Sequence, residues 1–201
     1  MTVDIRIEEE PIDRLDEHAL ISIAFTVERI LALSRAGAGL GGILLTETAV
    51  EVPWVKDYDV IKGEGPTRWP KRFDTSSWGL IAAYDDRERV GGAVVAFKTA
   101  GVRMLESPPD ATVLWDLRVS PDHRASGVGS ALFGAAGDWC RQRRCRFLKV
   151  ETQNVNVPAC RFYARMGCTL EAIDGRAYPD LPEEAQLIWL KDLTPQSERV
   201  D

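Results

Sequence analysis

Residues 113–129, V-L-W-D-L-R-V-S-P-D-H-R-A-S-G-V-G, restrict the possible folds more than any other stretch of the chain. A strand-like stretch leads into a loop holding Arg124, Gly127 and Gly129, and a helical pattern starts directly after it. A helix that opens on a glycine-bearing turn presents backbone N–H groups without intrahelical acceptors, at the positive end of the helix dipole. Such a turn is a ready site for phosphate. What carries that phosphate then largely decides the function.

Composition narrows the classes. The 201 residues fit one domain with a sizeable core, and 45% hydrophobic with 28% charged residues describes a globular chain. A net charge of −6 without a basic block argues against a nucleic-acid partner and leaves a cationic small-molecule substrate open. Cys140, Cys145, Cys160 and Cys168 form no C-x-x-C pair and have no histidine at ligand spacing, so they read as reduced thiols and no metal is expected. The start, M-T-V-D-I-R-I-E-E-E, is not a signal peptide, and no apolar run reaches membrane-spanning length. The expectation is a cytoplasmic protein without a membrane partner.

Val3 to Ile7 alternates apolar and polar residues and predicts an opening strand. From Asp13 a helical period takes over, with Leu20, Ile23, Val27, Ile30 and Leu31 on one stripe. Asp13 or Asp16 serves as its cap, and it ends near Gly37 and Gly39. Ile43 to Val52 has the alternation of a strand. Beyond it, Pro53, Gly63, Gly65, Pro66 and Pro70 are interspersed with Trp54, Tyr58 and Trp69. Residues 36–77 therefore read as an ordered lid or insertion, too aromatic for a solvated linker.

W-G-L-I-A-A-Y and V-G-G-A-V-V-A-F flank D-D-R-E-R, a hairpin signature. A second strand-like pair, separated by Glu106 to Asp110, leads into Thr112 to Val119. A helix from Val128 carries Val128, Leu132, Ala135 and Trp139 at helical spacing and ends among Arg141, Arg143 and Arg144. Phe147 to Thr152 is the next strand, and Pro158 opens a short helix stopped by Gly167. Strands at Thr169 to Ile173 and Gln186 to Leu190 bracket a loop with Tyr178, Pro179 and Pro182, and residues 194–201 form a flexible tail. The whole, 1–201, reads as a single mixed α/β domain with strands in hairpins as well as beside helices.

Three glycine motifs compete for the phosphate. Gly37, Gly39 and Gly42 fit G-x-G-x-x-G, but they follow a helical pattern and precede a strand, the reverse of a dinucleotide site, and read as a helix C-cap and turn. The triphosphate loop needs Gly-Lys-Ser/Thr, which the chain lacks. R-A-S-G-V-G remains, with Arg124, Gly127 and Gly129 in the pattern Gln/Arg-x-x-Gly-x-Gly/Ala between a strand and a helix.

Farther on, Asn156, Ala159, Tyr163 and Gly167 have the spacing N-x-x-A-x-x-x-Y-x-x-x-G. Together the two elements resemble the acyl-coenzyme-A-binding core of the GNAT superfamily of N-acetyltransferases. The run L-K-V-E-T-Q-N-V-N-V-P-A-C-R-F-Y is similar to the streptothricin acetyltransferase branch, as is P-W-V-K-D-Y-D at Pro53 to Asp59. Ala125-Ser126 departs from the Gly-Lys or Gly-Gln of many relatives.

The resemblance implies the GNAT fold, an α/β (α+β) arrangement with a mixed, mostly antiparallel sheet of about seven strands and helices on both faces. It implies acetyl coenzyme A as cosubstrate, with the pantetheine arm lying where two neighbouring strands splay apart. Backbone N–H groups of Arg124, Ala125, Ser126, Gly127, Val128, Gly129 and Ser130 would hold the pyrophosphate, and Asn156 and Tyr163 belong to the same cofactor-binding set. Backbone groups of Leu117 and Val119 would pair with pantetheine, and the Val119 N–H would polarise the thioester carbonyl. Tyr163 would give a proton to the departing sulfur. The alternative for Tyr163 is a core aromatic with a satisfied hydroxyl.

The base is less determined. Asp116 and Arg118 share one strand face, opposite Trp115, Leu117 and Val119. Asp116 either meets the substrate ammonium, directly or through water, or forms an internal pair with an arginine such as Arg118. Glu151 is a second candidate, open to the same alternatives. Tyr178, Asp174 and Asp74 are further candidates for the acceptor pocket. Trp54, Trp69, Trp78 and Trp115 would line it by cation–π contact or belong to the core. His18 and His123 read as a surface helix residue and a loop residue, with no nucleophile motif beside either.

The leading function is thus an acetyl-coenzyme-A-dependent N-acetyltransferase for a primary amine of a small molecule, with an antibiotic such as streptothricin as one version. The alternatives are a GNAT-like acyl-coenzyme-A-binding or sensor domain without turnover, and an acetyltransferase for protein lysines or N-termini. The family also implies a homodimer, for which the sequence carries no interface signature.

Overall fold

Residues 5–194 are described in the computed structural model. The strands are β1 (Ile5–Glu10), β2 (Phe25–Arg35), β3 (Ile43–Lys56), β4 (Gly79–Asp85), β5 (Glu88–Ala96), β6 (Ala111–Val119), β7 (Phe147–Gln153), β8 (Thr169–Asp174) and β9 (Gln186–Asp192). The helices are α1 (Leu15–His18), α2 (Trp69–Arg72), α3 (Val128–Gln142) and α4 (Val157–Arg165), with short 3₁₀ turns between elements. Seven strands are hydrogen-bonded in the order β1-β4-β5-β6-β7-β9-β8, and β2 and β3 form a separate ribbon. The β6–β7 pair is parallel, whereas β1–β4, β4–β5, β5–β6 and β8–β9 are antiparallel. This is the mixed, mostly antiparallel sheet expected from the sequence.

The chain divides into two compact units. The first comprises Met1–Ile23, Tyr58–Val150 and Lys191–Asp201. From Val90 to Ala96, β5 is buried, as befits a strand covered on both faces. A Cβ on Gly91 would meet Leu132 and Val128 of α3, and one on Gly92 would meet His18 of α1. Successive strand residues point to opposite faces, so α1 and α3 cover opposite faces of this part of the sheet. On α3, Val128, Leu132, Phe133, Ala136 and Trp139 are buried. A tightly packed group of Leu80, Val94 and Val113 with Trp69 and Trp78 completes the core.

Gly92 is a point of close approach. Its hypothetical Cβ lies 2.4 Å from His18 Nδ1 and 3.3 Å from the Ile81 carbonyl oxygen. Gly92→Ala is therefore expected to destabilise by about 1–3 kcal/mol through overpacking, read as a lower urea midpoint. An unchanged midpoint would mean that α1 gives way at no cost.

The second unit comprises Ala24–Asp57 and Glu151–Leu190. The β2–β3 ladder runs from Phe25↔Lys56 to Arg35↔Ile43. Asn154 ties the unit together. Its side-chain amide donates to the Leu31 carbonyl at 3.1 Å, and its Oδ1 accepts the Ala185 N–H at 2.7 Å.

Four expectations need correction. The long helix from Asp13 is only the four-residue α1, and Val27, Ile30 and Leu31 lie on strand β2. The ladder register shifts between Val27 and Arg29. An irregularity of this kind breaks strict alternation, so the three-residue step from Val27 to Ile30 fits a helical template equally well. Neither Asp13 nor Asp16 caps: α1 and the 3₁₀ turn before it have no side-chain cap bond. The glycines at 37, 39 and 42 turn the chain between β2 and β3 and are not a helix C-cap. The strand-like segment before Glu106 is a 3₁₀ turn, Arg103–Leu105, whose Met104 and Leu105 pack on the core. Within 36–77, regular strand continues through Pro53 and Trp54 to Lys56, and α2 follows. The tail expected over 194–201 lies outside the described residues apart from Thr194.

Candidate active site

Strand β6 pairs with β7 only from Ala111↔Phe147 to Leu114↔Val150, although β6 itself continues to Val119. On the other side, the Ser120 N–H donates to the Val90 carbonyl at 2.8 Å, in register with Gly91↔Val119 and Gly92↔Arg118. Antiparallel neighbours alternate between bonded and non-bonded pairs. Asp116 and Arg118 therefore turn their backbone groups toward β5, while Leu117 and Val119 turn theirs away from it, along the stretch that β7 no longer pairs. Between Leu114 and Asp116 the register with β5 shifts, so Trp115 is the extra, bulged residue.

The loop after β6 is braced from within. Arg124 Nε donates to the Val119 carbonyl at 3.2 Å and Nη2 to the Ser22 carbonyl at 3.1 Å. The Arg124 N–H is itself taken by Pro121 O at 3.3 Å, so Arg124 does not belong to the free donor run expected from the sequence. The Ser126 hydroxyl turns inward to His123 O at 2.6 Å. Gly127, with φ +98°, caps α3, and the first helical bond runs from the Ala131 N–H to Gly127 O. The N–H groups of Ala125, Ser126, Gly127, Val128, Gly129 and Ser130 find no acceptor among the described residues. A Cβ on Gly127 would meet nothing within 4 Å, so its left-handed backbone, not crowding inside the protein, calls for glycine. A run of unpaired N–H groups at the positive end of a 15-residue helix fits a pyrophosphate.

Asp116 lies on the buried side of β6. Its Oδ2 accepts from His18 Nε2 at 2.8 Å and from Arg118 Nε at 2.7 Å. Arg118 also donates from Nη1 to the Ile21 carbonyl at 3.0 Å and grips Asp59 through Nη1 and Nη2 at 2.8 and 3.2 Å. Burial alone would raise the Asp116 pKa, but the Arg118 charge and the His18 hydrogen bond outweigh it and hold the carboxyl below its usual value. Of the two readings of Asp116, the structure contains the internal pair. His18, expected on the surface, is fully buried. That misreading has a physical reason: its partner is far away in sequence, and the short helix that carries it shows no local sign of burial. His123 sits in the loop as expected, 3.4 Å from Asp85 Oδ2.

In the second unit, Asn156 caps α4 by accepting the Ala159 N–H at 3.2 Å. Tyr163 is on the buried face of that helix with Val157 and Cys160, its ring edge-on to Phe162. Glu151 and Tyr178, nominated separately from the sequence, are in direct contact. The Tyr178 hydroxyl donates to Glu151 Oε1 at 2.6 Å. Asp74 and Asp174 join neither group: each is exposed and accepts the backbone N–H two residues on, as in an Asx turn. Trp69, Trp78 and Trp115 pack on one another, with centroids 5.2–6.3 Å apart, and belong to the core, while Trp54 is partly exposed. Sequence reasoning missed His18, Gln153 and Gln186. It flagged Asp59 only as part of P-W-V-K-D-Y-D.

The chain matches the family model described as "Acetyltransferase (GNAT) family" over residues 50–168. It belongs to the GNAT family. GNAT membership makes it an N-acetyltransferase with acetyl coenzyme A as cosubstrate. The chain is 27% identical over 163 residues to the streptothricin acetyltransferase of Streptomyces lavendulae, covering 81% of this chain and 80% of that one. It is 39% identical over 109 residues to an Escherichia coli streptothricin acetyltransferase, covering 52% and 63%. Among solved structures it is similar to nourseothricin acetyltransferase, with a TM-score of 0.72, 25% identity, and coverage of 94% of this chain and 99% of that one. A Bacillus anthracis structure in complex with acetyl coenzyme A shares the fold, with a TM-score of 0.72 at 22% identity and the same coverage. Among the described residues, no helix is long and apolar enough to cross a membrane.

Proposed function

We propose that this GNAT protein acetylates a primary amine of a streptothricin-type antibiotic, working in the cytoplasm as one acyltransferase domain. The observation that carries the reading is the similarity to the Streptomyces lavendulae enzyme over four-fifths of both chains. Acetyl coenzyme A supplies an acetyl group already activated as a thioester. The N–H groups from Ala125 to Ser130 bind its pyrophosphate, and the brace from Arg124 to Val119 keeps that loop in place. The Val119 N–H, directed away from β5, donates to the thioester oxygen, where negative charge grows as the amine attacks. Tyr163 gives a proton to the departing sulfur, and the proton that the attacking nitrogen sheds passes through solvent to restore the phenol. Asp116 is a weak base, because His18 and Arg118 both hold its Oδ2 and keep its carboxyl below its usual value.

Incubation with acetyl coenzyme A and streptothricin is expected to release free thiol and to raise the antibiotic's mass by one acetyl group. Coenzyme A binding without thiol release from any amine would favour the sensor reading. Release with peptides alone would favour a protein acetyltransferase.

A further inference from the structure

Strand β7 alternates strictly: Leu148, Val150 and Thr152 are buried, while Lys149, Glu151 and Gln153 are half-buried on the other face. Glu151 is the first residue past Val150, where the ladder with β6 ends. Its carboxylate is tightly held. Oε1 accepts the Tyr178 hydroxyl at 2.6 Å and, more loosely, Gln153 Nε2 at 3.5 Å, and Oε2 accepts Gln186 Nε2 at 2.7 Å. Gln153 Nε2 also donates to the Tyr178 oxygen at 3.0 Å, which fixes the phenol's direction. All these residues lie in the second unit.

Every donor in this cluster is neutral. Glu184 pairs with Lys56, and Glu47 with Arg29 and Arg161, but no Lys, Arg or His forms an ion pair with Glu151 among the described residues. Ordering a carboxylate in a half-buried place removes part of its hydration, which neutral hydrogen bonds replace only in part; a cation supplies the rest. A carboxylate has about four lone-pair sites, so the cluster leaves room for a further donor. Burial and the Glu151 charge both raise the Tyr178 pKa, so the phenol keeps its proton and donates it to the carboxylate in a hydrogen bond.

We propose that Glu151, oriented by Tyr178, Gln153 and Gln186, receives a second cationic group of the acceptor and so selects amines carrying at least two basic nitrogens. The proposal rests on the acetyltransferase reading above. A carboxylate stabilises the charged form of an amine, whereas the attacking nitrogen must be neutral. The nitrogen at Glu151 is therefore not the one acetylated, and the preferred substrate class is the di- or polyamine.

Thiol release with 1,5-diaminopentane and with 1-aminopentane tests this. The wild type is expected to favour the diamine in kcat/KM, and Glu151→Gln, which keeps the size but removes the charge and one of the two accepting oxygens, to shrink that preference by about tenfold to a hundredfold. Tyr178→Phe leaves the charge but loosens its orientation, so it is expected to raise KM for the diamine more than it lowers kcat. An equal preference in the wild type, or one that Glu151→Gln does not alter, overturns the proposal. Calorimetric titration of the coenzyme-A-loaded protein with 1,5-diaminopentane separates this from failure of the function. If no amine is turned over, diamine binding that Glu151→Gln weakens sustains the cation site while the acetyltransferase reading falls. Binding that is equal in both proteins, or absent from the wild type, overturns the site.

Discussion

Tyr163→Phe is expected to lower turnover by about two to four orders of magnitude, with little change in affinity for coenzyme A. The substitution removes one oxygen and leaves the ring in place, edge-on to Phe162 and buried with Val157 and Cys160. Because Asn156 still caps α4, the helix itself has no reason to move. A departing thiolate that receives no proton stays a good nucleophile and returns to the acyl carbon, so the loss falls on kcat and not on binding. Steady-state thiol release beside calorimetric titration with coenzyme A separates the two quantities. Unchanged turnover would make Tyr163 a packing residue and shift the proton to another donor.

The largest loss of stability is expected from Arg118→Met. Arg118 is the one arginine hydrogen-bonded to Asp116 among the described residues, and it also holds Ile21 and Asp59. Removing one member of a buried pair leaves the other charge uncompensated, at about 3–5 kcal/mol. For a chain of this size that corresponds to a fall in melting temperature of roughly 6–20 °C. The pH dependence has a definite sign. The folded carboxyl of Asp116 titrates below its unfolded value of ~3.9. Its contribution is therefore present in full above that pH and disappears as acid protonates the folded form. Urea unfolding of the wild type and Asp116→Asn should differ most near neutrality and converge below about pH 4. A constant difference across that range would show that Asp116 contributes through shape and not charge.

Legibility followed the range of the interactions. The strand–turn–helix from Val113 to Gly129 could be read because its signals are local: an alternating strand-like stretch, two glycines and a 3.6-residue stripe. The hairpin of β4 and β5 and the short α4 behind Asn156 were legible for the same reason. Strand β2 was not, because an irregular ladder blurs the two periods that separate helix from strand. The Asp116 network was half legible. Arg118 is two residues away, whereas His18 and Asp59 reach Asp116 and Arg118 only through the fold. Glu151 and Tyr178 were each nominated on residue type, but only the fold makes them neighbours. No periodicity marks Gln153 or Gln186, since an amide that orients a carboxylate looks like any other surface glutamine.

The open edge of β6 bears on how the molecule survives as well as on what it binds. An unpaired strand edge invites any extended chain to complete it, including another copy of the protein in the wrong place. If pantetheine is the strand that belongs there, acetyl coenzyme A acts as a removable piece of the sheet, and the folded state gains RT ln(1 + [L]/Kd) whenever the cell is rich in it. Starved cells would then hold a less stable, stickier pool of the enzyme, so nutritional state would set its lifetime as well as its substrate supply.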